Sequence, residues 1–115
     1  DTLNDHEVDF LSTNGVETVK IAGLGIGAGG PHEYIQIAQV PADEIKAHIL
    51  SVDHPEAQAI LISCTDFPAL ELIAELEDKL GKPVITSNQA TLWAALRVAG
   101  IADRLENLGR LLEEY

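Results

Sequence analysis

Three short apolar runs, each followed by a stretch whose apolar residues recur at helical spacing, limit most strongly what this chain can fold into. The runs are residues 16–21, 59–63 and 83–86. After the first comes a glycine-rich loop, residues 23–30, and then a helix from Pro41 with Ile45, Ile49 and Val52 on one side, ending near Asp53-His54-Pro55. After the second, the spacing predicts a helix over 68–80, with Leu72, Ile73, Leu76 and Leu80 facing one way and Gly81 as its stop. After the third, Ser87 and Asn88 are placed to cap a helix in which Leu92, Leu96 and Ala99 face inward before Gly100. A helix over residues 2–13, stopped by Asn14-Gly15, precedes all of these, and an amphipathic segment with Leu105, Leu108, Leu111 and Leu112 closes the chain.

Strands alternating with helices favour a parallel sheet covered by helices on both faces, because parallel neighbours need a long crossover. The 115 residues make a single α/β domain spanning 1–115. Three strands are few for such a sheet, and a chain that opens on a helix reads as one whose preceding strand is missing.

Nineteen acids against seven lysines and arginines, a net charge of −12, exclude a phosphate-backbone partner and hence nucleic acid. No apolar run approaches the roughly 20 residues a membrane helix needs, so no membrane partner is expected. One cysteine allows no intrachain disulfide, and no secretory segment is visible, which together point to the cytoplasm. The histidines, His6, His32, His48 and His54, fall in separate segments without paired ligand spacing, so no metal site is expected.

Gly25-Ile26-Gly27-Ala28-Gly29-Gly30 satisfies a G-x-G-x-x-G pattern after a strand. The dinucleotide reading fails on context: Pro31-His32-Glu33-Tyr34 continues poorly into a helix, and no acidic strand end follows about 20 residues on. A loop that closes over a ligand is the better reading. Cys64 stands at the carboxyl end of the second run and, on this reading, at the amino end of the helix after it, where ligands bind in open α/β sheets and where a thiolate is favoured. A buried small hydrophobe explains a lone cysteine equally well. For a Cys–His pair only His32 qualifies, and no third group is evident to orient it. Thr65, Ser87 and Asn88 lie at ends of neighbouring strands and would meet Cys64 at one edge, making a place for a small carboxylate. The same residues also read as ordinary helix caps.

The segment Ala59-Ile60-Leu61-Ile62-Ser63-Cys64-Thr65, followed by residues 76–101 with Lys82-Pro83-Val84-Ile85-Thr86-Ser87-Asn88-Gln89-Ala90-Thr91-Leu92-Trp93, resembles the C-terminal half of the maleate cis-trans isomerases. These belong to the aspartate/glutamate racemase superfamily, with arylmalonate decarboxylase as a close relative. Asn4, Gly23-Leu24-Gly25, residues 37–45 and Gly109-Arg110-Leu111-Leu112 extend the resemblance over nearly the whole chain.

The resemblance implies a pseudo-twofold pair of flavodoxin-like halves with a cofactor-free site between them, each half giving one catalytic position. It implies that Cys64 is the proton donor and acceptor for an enediolate, that Thr65, Ser87, Asn88 and Asn4 bind a small dicarboxylate or related carboxylate, and that no cofactor or metal takes part. Asn4 reads equally as a capping residue. It further implies that the first, central strand of a 2-1-3-4 sheet is absent here, leaving the strands at 16–21 and 59–63 without the neighbour between them. The expected partner is therefore a missing N-terminal half or a second copy in a homo-oligomer. Maleate isomerisation is the first reading, with arylmalonate decarboxylation or amino-acid racemisation as the alternative on the same scaffold. A truncated, self-associating module without activity is the non-enzymatic alternative.

Overall fold

The computed structural model describes residues 2–115. The chain forms α1 (Thr2–Thr13), a stretch of 3-10 turns (Pro31–Gln39), α2 (Ala42–Val52), β1 (Ile60–Ile62), a 3-10 turn (Leu70–Leu72), α3 (Ile73–Leu80), β2 (Val84–Thr86), α4 (Ser87–Val98) and α5 (Arg110–Glu114). β1 and β2 pair in parallel, Ile60 opposite Val84, Leu61 opposite Ile85 and Ile62 opposite Thr86. The α/β reading holds, and α3 lies in the crossover that a parallel pair requires.

Alternation along the strands decides where the core sits. Ile60 and Ile62 are buried, whereas Leu61 between them is 47% exposed. The buried row meets Ile45 and Ile49 of α2 and Ile73 and Leu76 of α3 in one apolar cluster, with Ile26, Phe67 and Leu80 packed against it. Lys46 of α2 reaches Glu75 of α3 at 2.7 Å across the top of this contact, and the hydrogen bond raises the lysine's pKa.

Residues 16–21 do not form the expected strand. A strand exists only as part of a ladder, and among the described residues nothing pairs with this segment. Val16 and Val19 stay exposed, and Lys20 bonds the Ser51 carbonyl at 2.6 Å. The helix expected from residue 68 begins as a 3-10 turn at Leu70 and becomes α-helical only at Ile73. Pro68 explains the delay, since it pushes Phe67 out of the helical region. Pro31–Gln39 forms 3-10 turns where a poor continuation was expected, with Pro31 in the first turn.

The face that α4 buries also differs from the expected one. Gln89 is buried and Trp93 and Leu96 half-buried, while Leu92 and Ala99 are exposed. A polar residue leads the inward stripe because Gln89 has partners there: its side chain accepts from Thr86 N–H at 3.0 Å and donates to the Leu108 carbonyl. Beside it, the buried Glu77 carboxylate accepts from the N–H groups of Val84 and Arg110, both at 2.9 Å. Together these side chains fasten the C-terminal segment to α3, β2 and α4. Only residues 110–114 of the expected closing amphipathic segment are helical, with Leu112 buried beneath them.

Lys82 ties the loop after α2 to the start of β2, donating to Asp53 Oδ1 at 2.6 Å and to the His54 carbonyl at 3.0 Å. The hydrogen bond from Lys82 holds the Asp53 carboxyl below its ordinary value of 3.8. A depressed carboxyl stabilises the fold fully above its unfolded pKa, and that contribution is lost as pH falls through the lower, folded pKa. Urea titrations at pH 7 and in acid are therefore expected to show wild type losing its advantage over Asp53→Asn only below about pH 4.

Candidate active site

Cys64 follows β1 on a loop that runs to Ala69, closed by an N–H to carbonyl bond from Ala69 to Phe67 at 2.8 Å. A 3-10 turn starts only at Leu70, six residues after Cys64, and α3 only at Ile73, so Cys64 does not stand in the turn directly before a helix; this corrects the strand–turn–helix placement expected for it. The helix that does reach this loop is α4. Its Ser87 hydroxyl donates to the Ile62 carbonyl at 3.3 Å, and its Asn88 amide donates to the Thr65 carbonyl at 2.9 Å. Consecutive residues of α4 thus hold the chain on either side of Cys64.

The residue that caps α4 is Thr86, not Ser87 or Asn88. The Thr86 hydroxyl accepts from Gln89 N–H at 3.1 Å while the Gln89 side chain returns to the Thr86 N–H, a reciprocal capping box. The T-x-x-Q spacing carries that signal in the sequence, and it was overlooked there. With Thr86 as the cap, the N–H groups of Ser87 and Asn88 belong to the first turn, beyond the reach of the helix's own carbonyls. That turn is the positive end of a twelve-residue helix and suits a carboxylate.

Cys64 and Ser87 are half-buried, and Thr65 and Asn88 are exposed. A groove of about 290 Å³ runs past Thr65 and Asn88, between the loop after Cys64, the first turns of α4 and the C-terminal segment. Thr65, Asp66 and Asn88 line it on the polar side and Phe67, Leu92 and Leu108 on the apolar side; Cys64 lies outside its walls.

The Asn4 side-chain oxygen lies against Gly23, the first glycine of the loop at 23–30. His32 is exposed and rests over Gly30. The glycine-rich loop is occupied by the chain itself: Glu33 accepts from the N–H groups of Gly27 and Gly29, both at 3.0 Å. An amide nest of this kind binds phosphates in nucleotide enzymes, and here a carboxylate from the next turn fills it. Gly27, at φ 96°, also leaves no room for a Cβ against Tyr34. Among the described residues no group of three or more His, Cys, Asp or Glu could hold a metal ion, and no helix is long and apolar enough to cross a membrane.

The chain thus combines a parallel strand pair with a cysteine just after one strand and a capped helix directly after the other. Residues 1–112 match the arylmalonate decarboxylase family, and the chain belongs to it. It is 39% identical to the arylmalonate decarboxylase of Bordetella bronchiseptica over 115 residues, covering 99% of this chain and 47% of that protein. It is 22% identical to the maleate isomerase of Alcaligenes faecalis over 111 residues, 96% of this chain and 42% of that protein. The crystal structure of a maleate isomerase from Pseudomonas putida S16 superposes with a TM-score of 0.85 at 27% identity, over 98% of this chain and 44% of that one. The chain thus spans about half the length of the curated relatives it matches.

Proposed function

We propose that this chain forms the cysteine-bearing half of a cofactor-free active site that converts small dicarboxylates through an enediolate. The observation that carries the reading is the placement of Cys64 at the end of β1, between two carbonyls tethered to the amino end of α4. In the proposed step the Cys64 thiol gives its proton to the enediolate carbon: the C–H bond forms as the S–H bond breaks, and the thiolate remains on Sγ. The reverse transfer returns the proton. Thr65, Asn4 and the first-turn N–H groups at Ser87 and Asn88 supply hydrogen bonds to the carboxylate and enediolate oxygens, the type of fixed donor that such charge requires.

The N-terminal half supplies the second catalytic group, and the first strand of the cysteine-bearing half's own sheet lies between β1 and residues 16–21. Among the described residues β1 pairs only with β2 and the segment at 16–21 joins no ladder, which supports a place for that strand. Isomerisation of maleate to fumarate is one reaction of this class. Decarboxylation is the second reading, favoured by the 39% identity with the Bordetella decarboxylase against 22% with the Alcaligenes isomerase.

The test joins the chain to the N-terminal half of the Bordetella decarboxylase. The chimera is assayed for carbon dioxide release from an arylmalonate and for fumarate formation from maleate. One of these activities is expected in the chimera and none in the 115-residue chain alone. Turnover by the isolated chain would overturn the division of the site between halves.

A further inference from the structure

The two polar side chains that open α4 have already spent a donor on the protein. Ser87 donates to Ile62, two residues before Cys64, and Asn88 donates to Thr65, one residue after it. The helix that carries them is held by its own capping box to the end of β2, the strand that pairs with β1. The far end of the loop of residues 63–69 is held by Phe67 and Ala69, which pack into the core, whereas near Cys64, beyond the strand ladder, the only hydrogen bonds among the described residues are these two; the next helical turn starts at Leu70.

We infer that Asn88, assisted by Ser87, is a positioning residue that sets the place of Cys64 at the sheet edge by clamping the peptide segment on both sides of the thiol. The inference rests on the assignment of Cys64 as proton carrier and divides the labour of α4: its side chains hold the cysteine loop, and its first-turn N–H groups face the ligand. Thr65 keeps its hydroxyl free of the clamp, since only its carbonyl is engaged.

The experiment uses the chain as it is and reads the reactivity of its single thiol. Iodoacetamide alkylation is timed at pH 8 for wild type, Asn88→Ala, Asn88→Asp and Ser87→Ala, with thermal unfolding recorded for each. Asn88 is exposed, so its replacement leaves the core intact. Loss of the clamp is expected to free the loop and speed alkylation about fivefold in Asn88→Ala, the factor that one hydrogen bond of this kind controls. Asn88→Asp keeps the shape but offers no proton at pH 8 and is expected to react as fast as the alanine variant. Ser87→Ala is expected to give a smaller increase, because its bond is longer. Wild-type rates in both Asn88 variants would overturn the proposal, as would a fast alanine variant beside a wild-type-like aspartate variant, which would reduce Asn88 to bulk. None of these rates depends on turnover, so failure of the catalytic reading in the chimera is seen separately.

Discussion

Gly109→Ala is expected to lower the stability of the chain by about 2–6 kcal/mol, the sum of backbone strain and overpacking. Gly109 is buried with φ 91° and ψ 159°, a region that side-chain-bearing residues scarcely enter. A Cβ there would stand 2.6 Å from Ile73 Cγ2 and 3.0 Å from Gln89 Nε2. Neither neighbour has room to yield: Ile73 is fully buried in the core, and Gln89 is held by Thr86 on one side and Leu108 on the other. Urea unfolding checks this, with the midpoint falling at unchanged slope. Gly81→Ala is the control. Its φ of 67° is also positive, but nothing lies within 4 Å of the new methyl, so only the strain should appear.

The second large effect is expected at Glu77. Its two oxygens satisfy the N–H groups of Val84 in β2 and Arg110 in α5, which join distant parts of the chain through one buried side chain. Glu77→Ala removes both acceptors, and at about 1–3 kcal/mol for each orphaned donor the expected loss is about 2–6 kcal/mol. Glu77→Gln keeps one acceptor oxygen and turns an amide group toward the other N–H, so it should lose roughly half as much. The two variants also separate the contacts in space. Amide exchange should rise at Val84 and Arg110 in the alanine variant, and equal protection at both positions in wild type and Glu77→Ala would contradict the role given to the carboxylate.

What could be read from the sequence was whatever a short window determines. Residues 59–63 and 83–86 are continuous apolar runs, and both hold strands. The helix after Pro41 and the apolar side of α3 follow from spacing alone, and so does the C-cap at Gly81, whose φ of 67° needs a glycine. Residues 16–21 have the same local appearance as the other strands, but a ladder is a non-local property. The inward face of α4 was misjudged because hydropathy ranks Leu92 above Gln89. Burial of Gln89 follows from the capping box with Thr86, legible as T-x-x-Q, together with a bond to the Leu108 carbonyl that no short window contains.

The site divides in the same manner. Cys64, Thr65, Ser87 and Asn88 meet at one edge because parallel strands end together, which the strand assignments already imply. The bonds that Ser87 and Asn88 make across to β1 and its loop are tertiary and were not legible. The carboxylate of Glu33 inside that loop was also missed, although a glutamate shortly after a run of glycines is a visible cue for an amide nest filled from within.

The central claim is that Cys64 carries the proton for the reaction of the assembled site. Its most direct test compares the chimera with its Cys64→Ala variant, run in deuterated water with the product's new C–H position read by mass spectrometry. General acid–base groups contribute about 10²–10⁴-fold, so turnover should fall by that range in the variant while the unfolding midpoint changes little. In the unaltered chimera the product should carry one solvent-derived deuterium. Undiminished turnover in the alanine variant, with the same deuterium content in its product, would contradict the account.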